Sequence, residues 1–287
     1  MPAPLLFVLS GLTQYLGAAL AVGIFGVVAA STVAWLRIAV AALVLVAWRR
    51  PWRLAWGGRD LRTAVVFGVV LAVMNVAFYV AIDHLPLGTA VAIEFLGPVA
   101  VAAVTGHGWR DRVGIAVAAV GVVLLAGVSL DGGRDAVVGL VAIGVAAACW
   151  AAYILLGRRV ARAASGGITG LSVAMAAGAV VLAPFLAGGA GPVLRDARLA
   201  ALVVAIAVCS SVVPYALEQV VLRRVRAATF AVLLALLPAT AAVIGAVVLR
   251  QVPHGLEVVG LLLVSGAIVL TGLDRDEPAT DEAPPPA

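Results

Sequence analysis

Long apolar runs broken by short polar gaps organise the whole chain. Ten runs stand out, at 5–22, 31–48, 64–82, 87–105, 113–129, 137–156, 168–187, 199–221, 227–249 and 255–273. Each is close to the roughly 20 residues that an α-helix needs to cross a bilayer. The polar gaps are not alike. Arg49, Arg50, Arg53, Arg59 and Arg62 follow the second run, Arg110 and Arg112 the fourth, Arg158, Arg159 and Arg162 the sixth, and Arg223, Arg224 and Arg226 the eighth. These alternate gaps hold 13 of the 19 basic residues, and the other gaps hold only Arg134, Arg195, Arg198 and Arg250. Arginine-rich loops stay on the cytoplasmic side. The pattern therefore predicts an all-α integral membrane protein with ten transmembrane helices and both termini cytoplasmic.

Composition agrees. Of 287 residues, 64% are hydrophobic and 11% are charged, against about 25% charged in soluble domains. The basic excess is a topology signal here, because no Lys/Arg stripe with interleaved aromatics marks a nucleic-acid surface. Cys149 and Cys209 lie inside predicted spans, without metal-ligand spacing, and read as small packing residues. No metal or cofactor is expected. The amino end has no basic n-region, so the first run is kept as a helix rather than a cleaved leader. The acidic, proline-rich stretch 274–287 reads as a disordered tail.

The chain also looks duplicated. A shift of 140 places Thr89 on Thr229 and Pro98 on Pro238. A shift of 145 places Gly121 on Gly266 and Leu125 on Leu270. Two repeats of five helices, at 1–130 and 131–273, follow. Five is odd, so the second repeat is inverted, an architecture of secondary transporters with the substrate site at the repeat interface. Small residues at four-residue spacing, Gly114/Ala118, Ala174/Gly178 and Ala241/Gly245, suit close helix packing in lipid. Trp48, Trp52 and Trp56, at helical spacing beside the arginines, read as an interfacial belt on an extension of the second helix.

A polar side chain inside the bilayer is costly and marks function by default. Glu94 lies seven residues into the fourth run, about 10 Å deep at 1.5 Å per residue. A carboxyl group there suits proton binding and release. Glu218, near the end of the eighth run, serves either in transport or in an interfacial ion pair with Arg223. Arg37, two turns into the second run, either snorkels outward or pairs with a carboxylate. Asn75, Tyr79 and Asp83 share one helix face, as do Ser211, Tyr215 and Glu218, and Ser10, Thr13, Gln14 and Gly17. Three polar faces point to a shared hydrated cavity. Pro98 and Pro238 each remove a backbone hydrogen bond inside a helix, and paired interruptions in two repeats mark a binding site.

At these residues the chain resembles the EamA-type members of the drug/metabolite transporter superfamily, and among them the amino-acid exporters. The resemblance is carried by LGAALA at 16–21, PWRL at 51–54, PLGTAVAIEFLGPVAVA at 86–102, ACWAAYIL at 148–155 and VPYALE at 213–218. It implies export of small amino acids such as threonine or homoserine, or related metabolites, across the bacterial inner membrane. It also implies a central cavity lined by Gln14, Asn75, Tyr79, Glu94, Trp150, Tyr153, Tyr215 and Glu218. One departure stands out: the acidic residue such exporters carry before the proline of the ninth span is Leu237 here, and a closing Gly-Glu pair is replaced by Leu249-Arg250-Gln251. The expected mechanism is alternating access, with a small-molecule substrate, protons as coupling ion and the lipid bilayer as partner. The rival within transport is a broader exporter of drugs or aromatic metabolites, which dye efflux would reveal. An enzyme is not expected, since no HExxH or GxSxG motif occurs and His84, His107 and His254 fall at loops. A non-transport membrane assembly protein would leave Glu94 without a purpose.

Overall fold

The computed structural model describes residues 3–54, 56–105, 109–130, 133–161, 168–214, 217 and 233–273. The tail 274–287, Tyr215 and Glu218 lie outside the described residues. All regular structure among the described residues is helical. Among the described residues, five helices are long and apolar enough to cross a membrane, within Leu5–Val22, Ala30–Arg53, Gly58–His84, Arg134–Leu156 and Ile168–Arg195. Five shorter apolar helical stretches accompany them, at Leu87–Val101, Arg112–Gly127, Ala197–Val212, Leu236–Val248 and Leu256–Leu270. Leu43, Val180, Phe185, Val247 and Leu262 project outward, the apolar exterior that lipid rather than water covers.

The helix boundaries follow from local chemistry. Helix α1 spans Ala3–Val22 and α2 Ala30–Arg49. Arg50 closes α2 in the left-handed region, at φ 48° and ψ 57°, with its N–H on the Val46 carbonyl. Pro51 then lacks the N–H to continue, and a 3-10 turn over Pro51–Arg53 follows. The expected helical extension of the tryptophan belt is therefore not formed. Trp48 and Trp52 are exposed, and the Trp56 ring N–H turns back onto the Pro51 carbonyl.

Helix α3 runs Gly58–His84 and stops at extended Leu85, before Pro86, since a residue preceding proline avoids the helical region. The fourth apolar run is two helices, α4 over Leu87–Glu94 and α5 over Leu96–Thr105, with a turn at Phe95 between them. Pro98 explains the turn: without an N–H it leaves the Glu94 carbonyl without its helical partner. The remaining helices are α6 Trp109–Leu130, α7 Arg134–Ala161, α8 Ile168–Leu186, the short α9 Gly191–Arg195, α10 Ala197–Ala207, α11 Leu236–Val248 and α12 Leu256–Leu273. Helix α9 occupies a stretch expected to be loop. Asp196 caps α10, its Oδ1 accepting the Arg198 N–H at 2.7 Å. Helix α10 continues into a π-helical turn at Val208–Val212.

Broad packing joins α3 to α7 and α8, α6 to α12, and α2 to α8. Helix α1 lies against α11 and the π turn, and α4 lies between α7 and α11. Small residues permit the closest crossings. A Cβ added at Gly68 would strike the Ala174 carbonyl of α8, one at Gly178 the Gly68 carbonyl, and one at Gly97 the Ala147 carbonyl of α7. The Ala174/Gly178 pair thus lies on a helix contact, and Gly114/Ala118 and Ala241/Gly245 are buried too.

Candidate functional site

Arg37, Tyr79 and Glu94 come from three helices and lie at similar depth. Arg37 is seven residues from the start of α2, Glu94 seven from the start of α4, and Tyr79 five from the end of α3. At 1.5 Å per residue these depths are about 8–10 Å. Tyr79 is completely buried, and Arg37 is only 8% exposed. The Arg37 Nη1 donates to the Tyr79 hydroxyl at 3.3 Å, and its guanidinium carbon sits 4.8 Å from the Tyr79 ring centroid. Arginine over an aromatic face gains electrostatically from the ring quadrupole. Phe25 also packs on Tyr79, with ring centroids 5.9 Å apart. Arg37 therefore does not snorkel.

Glu94 is half-buried and closes α4 where the chain turns at Phe95. No contact ion pair joins it to Arg37. Phe95 is fully buried and meets Trp150 of α7 edge-on at 4.6 Å. Glu94 thus sits on a break that Pro98 creates and an aromatic contact holds.

The expected lining residues do not all share this level. Asn75 is buried, and its Nδ2 donates to the Leu71 carbonyl of its own helix at 2.7 Å. Asp83, on the same sequence-predicted face, is exposed. Tyr153 stacks on Phe67 at 4.7 Å. Phe67 lies 12 residues before Tyr79 on α3, about 18 Å along the axis, so Tyr153 belongs to the opposite end of the bundle. Gln14 is half-buried, and its backbone carbonyl accepts from the Ser210 hydroxyl at 3.2 Å, tying α1 to the π turn. Sequence reasoning left Arg37 undecided. The usable signal was a lone charged residue at the same helix depth as Glu94.

The second proline repeats the geometry of the first. Phe95, three residues before Pro98, has φ −63° and ψ −10°; Ala235, three before Pro238, has φ −65° and ψ −15°. Each interrupts its helix at that residue. Helices α4 and α11 approach closely, with Gly88 against Ala242. Gln251, in the stretch that replaces the closing Gly-Glu pair, holds a helix end. Its Oε1 accepts the Leu87 N–H at 2.9 Å and so caps α4. A cavity of about 250 Å³ opens there, lined by Pro86, Gly88, Thr89, Gln251, His254 and Glu257 among others. It lies about two helical turns from Glu94 along α4.

An all-helical, largely apolar bundle with paired helix breaks and a half-buried carboxyl group at one of them fits a multi-pass membrane transporter. The chain belongs to the EamA-type transporters: the EamA-like transporter family matches residues 137–273. It is similar to the threonine/homoserine exporter RhtA of Salmonella typhimurium, 35% identical over 251 residues that cover 88% of this chain and 84% of that one. It is likewise similar to RhtA of Escherichia coli K12, 35% identical over 257 residues, 90% of this chain and 85% of the other. A solved crystal structure with 19% identity shares the fold, with a TM-score of 0.58 over 94% of this chain and 98% of that chain. The family is one of transporters, not enzymes.

Proposed function

We propose that this protein exports small amino acids such as threonine or homoserine, or closely related metabolites, from the bacterial cytoplasm across the inner membrane. Ten helices span the bilayer as two inverted five-helix repeats, 1–130 and 131–273, with both termini inside. Transport proceeds by alternating access and is coupled to protons. The observation that carries the proposal is Glu94, a carboxyl group inside the membrane at a proline-induced helix break, at the same helix depth as Arg37.

The helix pairing supports the inverted repeat. Exchanging the two halves turns the α1–α11 contact into that of α7 with α4 and α5, and the contact of α1 with α10 and the π turn into that of α3 with α7. The pairs α2–α8, α4–α11 and α6–α12 map onto themselves. The matched turns at Phe95 and Ala235 obey the same exchange, and the family match spans most of the second half. Substrate sites of inverted-repeat transporters lie at such discontinuous helices. The ammonium group of an amino acid needs an acceptor, which Glu94 supplies, and its carboxylate needs donors. Gln14, Asn75, Tyr79, Trp150 and Tyr153 line the path, at different levels of it, and the family resemblance assigns Tyr215 and Glu218 to it as well. Protonation of Glu94 and binding of an ammonium compete for one carboxylate, and that competition exchanges a proton for the substrate.

A direct test uses purified protein in proteoliposomes loaded with single amino acids, with a pH gradient imposed. Faster efflux of threonine or homoserine than from protein-free vesicles, driven by the gradient, is expected. Efflux indistinguishable from protein-free vesicles for every amino acid would overturn the exporter proposal.

A further inference from the structure

The most unusual group in the bundle is Arg37. It is the one charged side chain among the buried described residues. Several kcal/mol oppose placing a guanidinium within a bilayer. An arginine kept there for structure alone would be offset by a contacting carboxylate and a full set of acceptors. Arg37 has neither. Its Nη1 donates to a neutral phenol at 3.3 Å, and its Nε is buried with no acceptor. The guanidinium has five N–H donors in a rigid plane. With Nη1 committed to Tyr79, the edge formed by Nε and the second Nη is left, a two-donor fork that matches the two oxygens of a carboxylate.

We propose that Arg37 binds the substrate's carboxylate, so that the transported compound is a zwitterion held between the Arg37 guanidinium and the Glu94 carboxylate. The assignment rests on the exporter proposal and deepens it. The two protein charges lie at matched depths on α2 and α4 without a contact ion pair between them. A zwitterion laid across that gap neutralises both. Tyr79 is a positioning residue: its ring lies beneath the guanidinium and its hydroxyl fixes Nη1. Asn75, one turn before Tyr79 on α3, has turned its amide onto the Leu71 carbonyl. Nε is closed to solvent here, so a carboxylate reaches it when the helices around it part, as alternating access requires. Free amino acids fit this site. Their amides, esters and decarboxylated amines offer Arg37 no anion.

The test compares uptake of L-threonine, L-threoninamide and the decarboxylated amine of threonine into proteoliposomes. Wild type should favour the acid by at least about 30-fold, the size expected when one partner of a buried charge pair is lost. Arg37→Gln should bring acid transport down to the level of the amide, so that the acid-to-amide ratio falls to about one. Arg37→Lys, which keeps the charge but not the fork, should restore part of the preference. Should Arg37→Gln fail to insert, the wild-type comparison still decides. Equal transport of acid and amide by wild type, or an unchanged acid preference in Arg37→Gln, would overturn the carboxylate assignment alone. A wild type that moves no amino acid would overturn the exporter proposal and this assignment with it.

Discussion

Replacing Gly68 by alanine should destabilise the bundle, although alanine is the better helix former. Two effects compete. Alanine in place of a helical glycine gains up to about 1 kcal/mol of helix propensity. Against this, the new methyl group would meet α8 backbone, 2.6 Å from the Ala174 carbonyl carbon and 2.9 Å from its Cα. Backbone cannot rotate away as a side-chain tip can. The Ala174 carbonyl oxygen lies closer still, so relief needs α3 and α8 to separate locally by more than the roughly 0.8 Å that would bring the carbonyl carbon to an ordinary contact. That separation also loosens the reciprocal seat of Gly178, which faces the Gly68 carbonyl and the Ala72 methyl. Overpacking of this kind costs about 1–3 kcal/mol, so packing outweighs propensity and a net loss of about 1–2 kcal/mol is expected. The midpoint of thermal unfolding should fall by about 2–8 °C. Gly144, on the exposed face of α7 with nothing within 4 Å of an added Cβ, is the matched control. Gly144→Ala keeps only the propensity gain and should raise the midpoint slightly. Thermal unfolding in one detergent, read as loss of the monodisperse peak on size-exclusion chromatography, compares the two. If Gly68→Ala is as stable as Gly144→Ala, the close α3–α8 crossing is wrong.

Further outcomes follow from the loops and the rim. With Cys149 and Cys209 replaced, Gly188→Cys should react with an impermeant thiol reagent on intact cells and Gly57→Cys only after permeabilisation; the opposite pattern would reverse the topology. Gly188 suits this use because an added Cβ there meets nothing, whereas at Gly189 it would strike the Thr32 side chain. Gln251→Ala removes the acceptor of the Leu87 N–H, at a cost of about 1 kcal/mol. It should raise thiol labelling of Thr89→Cys in the adjoining cavity, and unchanged labelling would show that Gln251 does not hold the rim closed. Tyr79→Phe retains the ring under Arg37 and removes its hydroxyl. Its apparent KM for substrate should rise several-fold at unchanged expression, and a wild-type KM would remove Tyr79 from the site.

The apolar runs announced most helices because lipid leaves the backbone no partner but itself. Boundaries set by single residues were harder to see. Pro98 and Pro238 were legible as interruptions, yet the turns fall upstream at Phe95 and Ala235, because a proline disturbs the carbonyl four residues before it. The tryptophan belt was read as helix from its spacing, but Pro51 and left-handed Arg50 end the helix first. Glu94 was legible as a lone carboxyl group. Arg37 was half legible: chain position gives depth along a helix, but only packing against α3 decides whether the side chain turns inward to Tyr79 or outward to lipid. Packing likewise separates Tyr153 from Tyr79, two residues that family resemblance placed in one lining. Gln251 looked like a mere loss of an acidic residue, since its partner Leu87 lies 164 positions away in sequence.

Glu94 bears the central claim, and one substitution isolates it. Glu94→Gln keeps the shape and a hydrogen-bonding head but can neither titrate nor carry charge. It should insert and fold as wild type does, because a neutral amide is no costlier in the membrane than a carboxylate. The measurement is export of threonine or homoserine from proteoliposomes across an imposed pH gradient, at matched protein levels. The account predicts that Glu94→Gln loses pH-driven export while Glu94→Asp, with its charge withdrawn by one methylene, keeps part of it. Wild-type rates with unchanged pH dependence in Glu94→Gln would contradict the account and return Glu94 to a structural role.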